Sequence, residues 1–318
     1  FQAEDGIRDR SPSRGLGDVY KRQVQGNAQG TERSELSIDG PPPPVAPAVI
    51  NRDSLGNATV RAIRLSEPIR LDGQLDEAVY RDVPAITGFI QTLPDEGSPA
   101  TEETEAWITF DEVNVYVSAR IWDSAPESEW VANEMRRDAS PLRNNDTFSA
   151  SFDTYYDRRN AMNFYTNPLG ARADVQHFNE RNGNSDWNPV WDVRTGRFEG
   201  GWTVEMQIPF KSLRYRPGRS QIWGVQLRRA IRRKNEWAHL TLIPQSAVRR
   251  GNGSTAIIRV SRHATLVGLE APEASRNLEI KPYTISGMKT DRRAVPAMSN
   301  DGYVDVGLDV KYLSLIHI

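Results

Sequence analysis

The sequence predicts an all-β fold: an antiparallel β-sandwich followed by the start of a further β-rich region. Short runs of alternating apolar and polar residues recur after Thr59. Turn signals such as Asp72-Gly73 and Pro217-Gly218 separate these runs. Helical patterns are confined to residues 76–82 and 127–137, and both are short. Many short strands with turns between them, and without long helices, are typical of a sandwich rather than of a parallel α/β sheet.

The individual strands follow from period-two alternation, which places every second side chain on the same face. In the first clear strand Ala106, Ile108 and Phe110 share a face. The same pattern predicts strands at 113–122, 148–152, 160–166, 171–178, 202–208, 222–231 and 237–243. Four tryptophans lie within or at the ends of these strands and are predicted to be core residues: Trp107, Trp122, Trp202 and Trp223.

Composition divides the chain into segments. Residues 1–23 and 314–318 resemble translated sequencing-adapter sequence, and we expect them to be artefacts. Residues 24–58 are polar and proline-rich, which predicts a disordered linker, and residues 59–269 then form the sandwich. In 270–313, two alternating segments have the length of barrel strands, so we predict the first hairpin of a truncated barrel-like region.

Charge and cysteine content exclude several function classes. The 318 residues include 40 Lys+Arg and 42 Asp+Glu, a net charge of -2, so no overall charge favours nucleic acid as a partner. With 0 cysteines there is no disulfide, thiolate metal site or cysteine nucleophile. The sequence contains neither a GxSxG elbow nor a phosphate-binding glycine loop, and we assign no catalytic residue.

Aromatic residues beside polar groups are the candidate binding residues. Sugar recognition needs a flat apolar surface, with amide, carboxylate or guanidinium groups nearby to pair with the hydroxyls. Trp187 and Trp191 lie in a turn-rich stretch among Asn and Asp residues, where they either form such a surface or cap the end of the sandwich. Arg228 to Lys234 is the strongest local positive charge, and its arginines alternate between two strand faces. It is either a site for acidic glycans or lipid headgroups, or a set of ion pairs with neighbouring strands.

Four segments carry a family resemblance: LDGQLDEAVY (71–80), NDTFSASFD (145–153), FYTNPLGARADVQ (164–176) and GWTVEMQIPFKSLRY (201–215). In this order they resemble the family-nine carbohydrate-binding modules. The chain resembles more closely a group of bacterial envelope proteins in which such a sandwich precedes a β-rich region thought to form an outer-membrane barrel. The resemblance covers about residues 62–312, and it implies a sandwich of the carbohydrate-binding-module type.

The resemblance also implies a site, because family-nine modules hold sugar between two tryptophans. Trp237 lies where the second tryptophan is expected, and Asn145 and Asp146 match the polar motif near the first. The first tryptophan is absent from this sequence, and Pro141-Leu142-Arg143 occupies its neighbourhood. Trp187 or Trp191 would supply the missing side of the site. On this basis Trp237→Ala should remove binding and leave the fold intact, whereas Trp202→Ala should unfold the domain.

A calcium site and the role of Glu205 complete the sequence-based expectations. Family-nine modules often carry structural calcium, for which the candidates here are Asp153, Asp157 and Asn160. Glu205 alternates outward from a strand that buries Trp202, so we expect a solvated carboxylate rather than a catalytic acid.

The preferred function is non-covalent glycan binding at the bacterial cell envelope in support of polysaccharide breakdown, with the outer membrane as a partner through a further C-terminal region. One alternative is an outer-membrane transport or assembly protein whose sandwich is a periplasmic plug or a partner-binding domain. Another is a glycoside hydrolase.

Overall fold

The computed structural model describes residues 37–273, 278–293, 295–296 and 298–312. The predicted artefact segments 1–23 and 314–318 lie outside these residues, as does the first part of the predicted linker, 24–36. Of the two compact units of the chain, Phe1–Ser37 and Ile38–Ile318, the first is described only at its last residue.

The larger of two stacked sheets has ten strands, which run in the order β1-β2-β15-β13-β7-β8-β9-β10, with β14 pairing both β13 and β4. All pairs are antiparallel except β2 with β15. The strands are β1 Ile50–Arg52, β2 Ala58–Arg61, β4 Ile90–Leu93, β7 Thr147–Asp153, β8 Ala161–Thr166, β9 Arg172–Phe178, β10 Asn182–Asn184, β13 Ser220–Ile231, β14 Glu236–His239 and β15 Ala264–Glu270.

The smaller sheet has five strands in the order β11-β12-β6-β5-β3. They are β3 Ile63–Arg64, β5 Thr104–Phe110, β6 Asn114–Trp122, β11 Asp192–Phe198 and β12 Gly201–Pro209. A separate hairpin pairs β16 Leu278–Asp291 with β17 Met298–Tyr312. The described residues contain one α-helix, α1 Ala78–Asp82, and within them no helix is long and apolar enough to cross a membrane.

Short 3₁₀ turns make up the remaining regular structure of the described segments. They are Glu127–Glu129, Ser140–Asn144, Phe210–Ser212, Arg232–Lys234, Gln245–Ala247, Arg249–Gly251, Gly253–Ile258 and Val260–Arg262. Four of them follow one another between β14 and β15, so a long stretch of non-strand chain lies between these two strands of the large sheet.

The core lies between the two sheets, and the all-β sandwich prediction is confirmed. Alternate residues of each sheet point into it, such as Val117 and Val204 from the small sheet and Phe152 and Leu227 from the large one. We call this side of the large sheet its inner face and the opposite side its outer face. The period-two alternation of the sequence therefore corresponds to real faces.

Three of the four predicted core tryptophans are buried, namely Trp107, Trp202 and Trp223. The prediction is wrong for Trp122, which is 36% exposed and packs edge-on against Phe198 with ring centroids 4.8 Å apart. Trp122 is the last residue of β6, where the alternation no longer has a covering layer.

The predicted linker is ordered where the structure describes it, so the prediction is wrong for residues 37–58. This stretch contains β1, and Val49 is 4% exposed within the main core. The Thr59 hydroxyl donates to the Pro41 carbonyl at 2.5 Å, and the Tyr156 hydroxyl accepts from the Asp39 N–H at 2.8 Å. Partners distant in sequence satisfy this polar backbone, and local composition does not reveal them.

The predicted helix over residues 127–137 is limited to the turn Glu127–Glu129. The N–H of Val131 donates to the Asp146 carboxylate at 2.7 Å, and that of Asn133 donates to the Asn145 side chain at 2.9 Å. Because these donors are used by side chains from another segment, they are not available for a helical ladder.

Candidate functional site

The outer face of the large sheet, which points away from the core, carries a row of polar side chains. Ser149 of β7 lies between Arg228 of β13 and Tyr165 of β8, and Asn163 follows on the same side of β8. These positions alternate with inner-face residues of the core. The sheet therefore presents hydroxyl, amide and guanidinium groups on the side away from the core.

A cavity of about 390 Å³ opens on this outer face. Ligand pockets in proteins are usually of about 300 to 1,000 Å³, so the cavity has room for a small ligand or one unit of a polymer. The sheet side chains that line it include Ser149, Asn163, Tyr165, His177 and Arg228, and the segment 249–258 contributes Ser254 and Thr255. We call it the outer-face cavity.

Positive charge dominates the outer-face cavity. Arg143, Arg181, Arg228 and Arg249 line it, and within the described part of the chain neither Asp nor Glu does. None of the four arginines forms a salt bridge with a described residue, although the sandwich has many salt bridges elsewhere.

Arg228 is the most buried of these four cations, at 4% exposed. Its Nη2 donates to the Ser149 hydroxyl at 2.8 Å, and its Nη1 donates to the Ser254 carbonyl at 3.0 Å. Burial lowers the pKa of Arg228 to about 10, and the nearby Arg143 adds to this lowering, so the side chain is still charged at neutral pH. A full positive charge is thus held at the cavity.

Two buried polar atoms at the cavity have no hydrogen-bond partner among the described residues. They are the Oδ1 acceptor of Asn163 and the Nε donor of Arg228. Asn163 is 4% exposed. Buried polar groups are normally paired, because leaving one unpaired costs about 1 to 3 kcal/mol. An unpaired acceptor and an unpaired donor among the residues that line one cavity are compatible with a site for a ligand or for ordered water.

Trp237 also lies on the outer face, but its ring is covered. The side chain is 2% exposed, and a Cβ at Gly253 would come within 2.2 Å of the ring atoms. The guanidinium carbons of Arg228 and Arg232 lie 5.2 and 5.3 Å from its ring centroid. The prediction that Trp237 stacks on a sugar is therefore wrong in this structure, because the segment 249–258 occupies the space that a sugar would need.

Trp187 and Trp191 lie on the opposite side of the large sheet from Trp237, which corrects the prediction that one of them forms a sugar site with Trp237. Both rings pack against Phe164 of the inner-face core, with centroids 5.6 and 5.2 Å away. Trp191 is 3% exposed, and its Nε1 donates to Asp174 at 2.8 Å. Trp187 and Trp191 thus lie on the inner side of the large sheet and Trp237 on its outer side, so the interpretation of the first two as capping residues is the correct one.

Asn145 and Asp146 are structural residues rather than sugar ligands. Both are buried. The Asn145 amide oxygen accepts from the N–H of Asn133 and from the Asn167 side chain, both at 2.9 Å. The Asp146 carboxylate accepts from the N–H of Arg232 at 2.6 Å, and its second oxygen bonds Val131. Among the predicted sugar-binding residues, only Arg143 lines the outer-face cavity.

The basic run from Arg228 to Lys234 divides by face, as its alternation predicts. Arg229 and Arg233 form salt bridges with Asp123 at 3.2 and 2.6 Å, and Lys234 pairs with Glu102 at 2.6 Å. These residues follow the ion-pair interpretation. Arg228, on the opposite face, has no carboxylate partner among the described residues and lines the cavity instead.

The calcium candidates form a tight turn. Both carboxylate oxygens of Asp153 accept backbone N–H groups, from Asp157 at 3.1 Å and from Arg158 at 2.7 Å. Both oxygens of Asp157 accept from residues 159–160. A cation would have to displace these donors, and among the described residues no group of three metal-binding side chains comes together. Calcium binding here stays a prediction.

Glu205 is buried, which corrects the prediction of a solvated carboxylate. At 1% exposed, it accepts from the Gly73 N–H at 2.8 Å and from the Tyr80 hydroxyl at 3.0 Å. Gly73 has a φ of +85, and a Cβ there would lie 2.8 Å from the Thr195 backbone, so only glycine fits this turn. Glu205 therefore holds the Asp72-Gly73 turn against the small sheet.

We expect the Glu205 carboxyl to make the free energy of unfolding depend on pH. Burial raises its pKa from 4.5 to about 7, so the folded state binds this proton more tightly than the unfolded chain does. Its contribution to stability is therefore greatest below about pH 4.5 and falls as the pH rises to about 7. Glu205→Gln cannot ionise. We expect its free energy of unfolding, relative to wild type, to rise by about 3 kcal/mol between acidic and mildly alkaline pH, measured by urea unfolding.

Glu67→Gln is the matched control for Glu205→Gln, because Glu67 is exposed and its replacement makes the same charge change away from the Asp72-Gly73 turn. We expect its stability curve to run parallel to that of wild type across the pH range. If the Glu205→Gln curve also runs parallel to wild type, the carboxyl of Glu205 does not titrate in the proposed interval.

Comparison with known proteins identifies the fold class. A proposed carbohydrate-binding protein from Bacteroides uniformis aligns with 68% of this chain and 100% of its own, with a TM-score of 0.50 and 7% identity. A family 9 carbohydrate-binding module from Caldicellulosiruptor kristjanssonii, solved with cellotriose, aligns with 68% of this chain and 96% of its own, with a TM-score of 0.45 and 14% identity. No known protein-family profile and no curated protein matches the sequence. At these identities the first likeness shows a shared β-sandwich fold and nothing finer.

Proposed function

We propose that this protein binds glycans non-covalently in the outer-face cavity. The observation that carries the proposal is a cavity of about 390 Å³ whose lining combines hydroxyl, amide and guanidinium groups with an unpaired acceptor, Asn163 Oδ1, and an unpaired donor, Arg228 Nε. A sugar ring presents many hydroxyls, each of which can donate and accept, so it suits a site where both roles are open.

The fold supports the proposal without carrying it. The Bacteroides uniformis protein that shares the sandwich is described as carbohydrate-binding, but 7% identity transfers the fold and not the ligand. The proposed site also differs from the tryptophan pair that the sequence suggested, because Trp237 is covered and Trp191 belongs to the core.

Glycan binding is tested by a single hydroxyl deletion. The Tyr165 hydroxyl lines the cavity and lies 3.3 Å from Arg143 Nε. Tyr165→Phe removes a hydrogen-bonding group from the site and keeps the ring. We expect the association constant for the bound glycan to fall about three- to tenfold, which corresponds to the loss of one hydrogen bond. Isothermal titration calorimetry on a panel of neutral and acidic oligosaccharides measures it.

Tyr215→Phe is the control for Tyr165→Phe. Its hydroxyl donates to the Pro272 carbonyl at 3.0 Å and does not line the cavity. We expect wild-type binding from this variant. Absence of binding across the panel, or equal binding by wild type and Tyr165→Phe, would contradict the assignment of the site.

We further propose a place in the bacterial cell envelope, where such binding would support polysaccharide breakdown. Support comes from the hairpin β16–β17, in which Val304, Val306, Leu308 and Val310 are each at least 52% exposed and alternate with Asp305, Gly307 and Asp309. An apolar face alternating with a polar one is typical of strands in outer-membrane barrels.

The same observation favours the alternative function, an outer-membrane transport or assembly protein whose sandwich is a plug or partner domain. Fractionation of cells that express the gene in its native reading frame tests the location. Recovery with outer membranes supports the envelope location, and recovery in the cytosol contradicts it.

A further inference from the structure

The outer-face cavity holds positive charge without a counter-charge from the chain. Four arginines line it, and none is paired with a described carboxylate. In the same basic run, Arg229, Arg233 and Lys234 are all paired with acids on the opposite side of the sheet. The fold thus pairs three cations of one short segment with acids and leaves Arg228 of the same segment at the cavity without a described carboxylate partner.

Burial makes the unpaired state of Arg228 costly. A buried ion is normally compensated by an opposite charge, because desolvation of an isolated ion costs several kcal/mol. The ring of Trp237 and two neutral acceptors, Ser149 and Ser254, compensate Arg228 only in part. An anion that enters the cavity would supply the missing counter-charge.

The neutral polar groups of the cavity indicate which other groups the anionic ligand has. Ser149, Asn163 and Tyr165 lie on adjacent strands of the same face, and Asn163 Oδ1 is an unpaired acceptor, which an anion without a proton, such as chloride or sulfate, does not satisfy. A ligand with hydroxyl donors next to an acidic group satisfies the acceptor and the guanidinium groups together.

We propose that the outer-face cavity recognises an acidic sugar, one that bears a carboxylate or a sulfate. Arg143, Arg181 and Arg228 bind the acidic group. This inference rests on the proposed glycan-binding function and specifies the ligand class at the same site. Guanidinium groups suit both acids, because their planar donors match two oxygens at once.

Matched acidic and neutral ligands test the proposal by calorimetry on the full chain. Trigalacturonate is compared with its methyl ester, and a κ-carrageenan oligosaccharide with its desulfated form. We expect at least one acidic form to bind ten or more times more tightly than its neutral partner at low salt. The ratio should shrink as sodium chloride rises from about 0.02 to 0.3 M, because salt screens exposed charge.

Arginine variants locate the recognition. Arg143→Gln and Arg181→Gln change exposed cavity residues and should each weaken binding of the acidic ligand about three- to tenfold, with little change for any neutral ligand. Arg214→Gln makes the same charge change at an exposed position that does not line the cavity, and we expect wild-type binding from it. Arg228→Met should weaken binding more than tenfold, with thermal unfolding to confirm that the variant is folded.

The possible outcomes separate the two proposals. Equal binding of acidic and neutral partners overturns the acidic-sugar inference and leaves glycan binding standing. Binding of neither overturns both proposals. Loss of binding in Arg214→Gln equal to that in Arg143→Gln, or binding only to vesicles that contain phosphatidylglycerol, overturns the inference in favour of a non-specific or lipid-directed basic surface.

Discussion

Replacement of Trp237 by alanine is expected to lower the free energy of unfolding by about 3 to 5 kcal/mol, as for other buried aromatic residues. The ring is 2% exposed, with Gly253 against it and two guanidinium groups within 5.3 Å of its centroid. Its removal leaves an empty space and takes away the aromatic ring on which the guanidinium groups of Arg228 and Arg232 pack. Urea unfolding, followed by tryptophan fluorescence and circular dichroism, measures the change.

Trp122→Ala is the control for Trp237→Ala. Trp122 is 36% exposed, so its replacement should cost clearly less than that of a buried ring. The sequence-based expectation was the reverse for Trp237: loss of sugar binding with an intact fold. If Trp237→Ala is as stable as wild type and has lost glycan binding, the ring is open to solvent and the tryptophan-based site is right.

Replacement of Arg229 by methionine is expected to lower the free energy of unfolding by about 3 to 5 kcal/mol, the usual cost of breaking a buried ion pair. Arg229 is 2% exposed and joins the large sheet to the small one. Its Nη1 donates to the Glu103 carbonyl at 2.9 Å, and its Nη2 donates to the Trp122 carbonyl at 2.5 Å and to Asp123 at 3.2 Å. Loss of the guanidinium removes one donor from each of these acceptors, and Asp123 keeps only Arg233 as a cationic partner.

The exposed Arg219→Met is the matched control for Arg229→Met, because Arg219 pairs with Glu112 and Glu270 at the surface. Surface pairs contribute about 0 to 1 kcal/mol, so its effect should be small. In a double-mutant cycle, Asp123→Asn should recover part of the Arg229→Met loss. Equal, small effects at Arg229 and Arg219 would show that the buried contacts do not join the sheets energetically.

Sequence alone predicted much of the sandwich, because period-two alternation is a local property. Strands β5 to β9, β12 and β13 lie where the pattern placed them, and Trp202 and Trp223 are core residues. The division of the 228–234 run by face was predicted for the same reason. Strands without alternation, such as β1 and β10, and the helix expected over 127–137 were not predicted correctly, since distant partners decide them.

The candidate site was a different matter. Alternation says which residues share a face of a strand, but not which face another segment covers. The chain from Gly253 onward lies on Trp237, and the Asp72-Gly73 turn closes over Glu205; contacts across many residues create both arrangements. The all-β class, most strand positions and most of the core residues were therefore determined by the sequence itself, with Trp122 and Glu205 as exceptions. Only the tertiary structure decided which polar groups were left unpaired around a cavity, because burial and hydrogen bonding depend on segments that the local pattern cannot see.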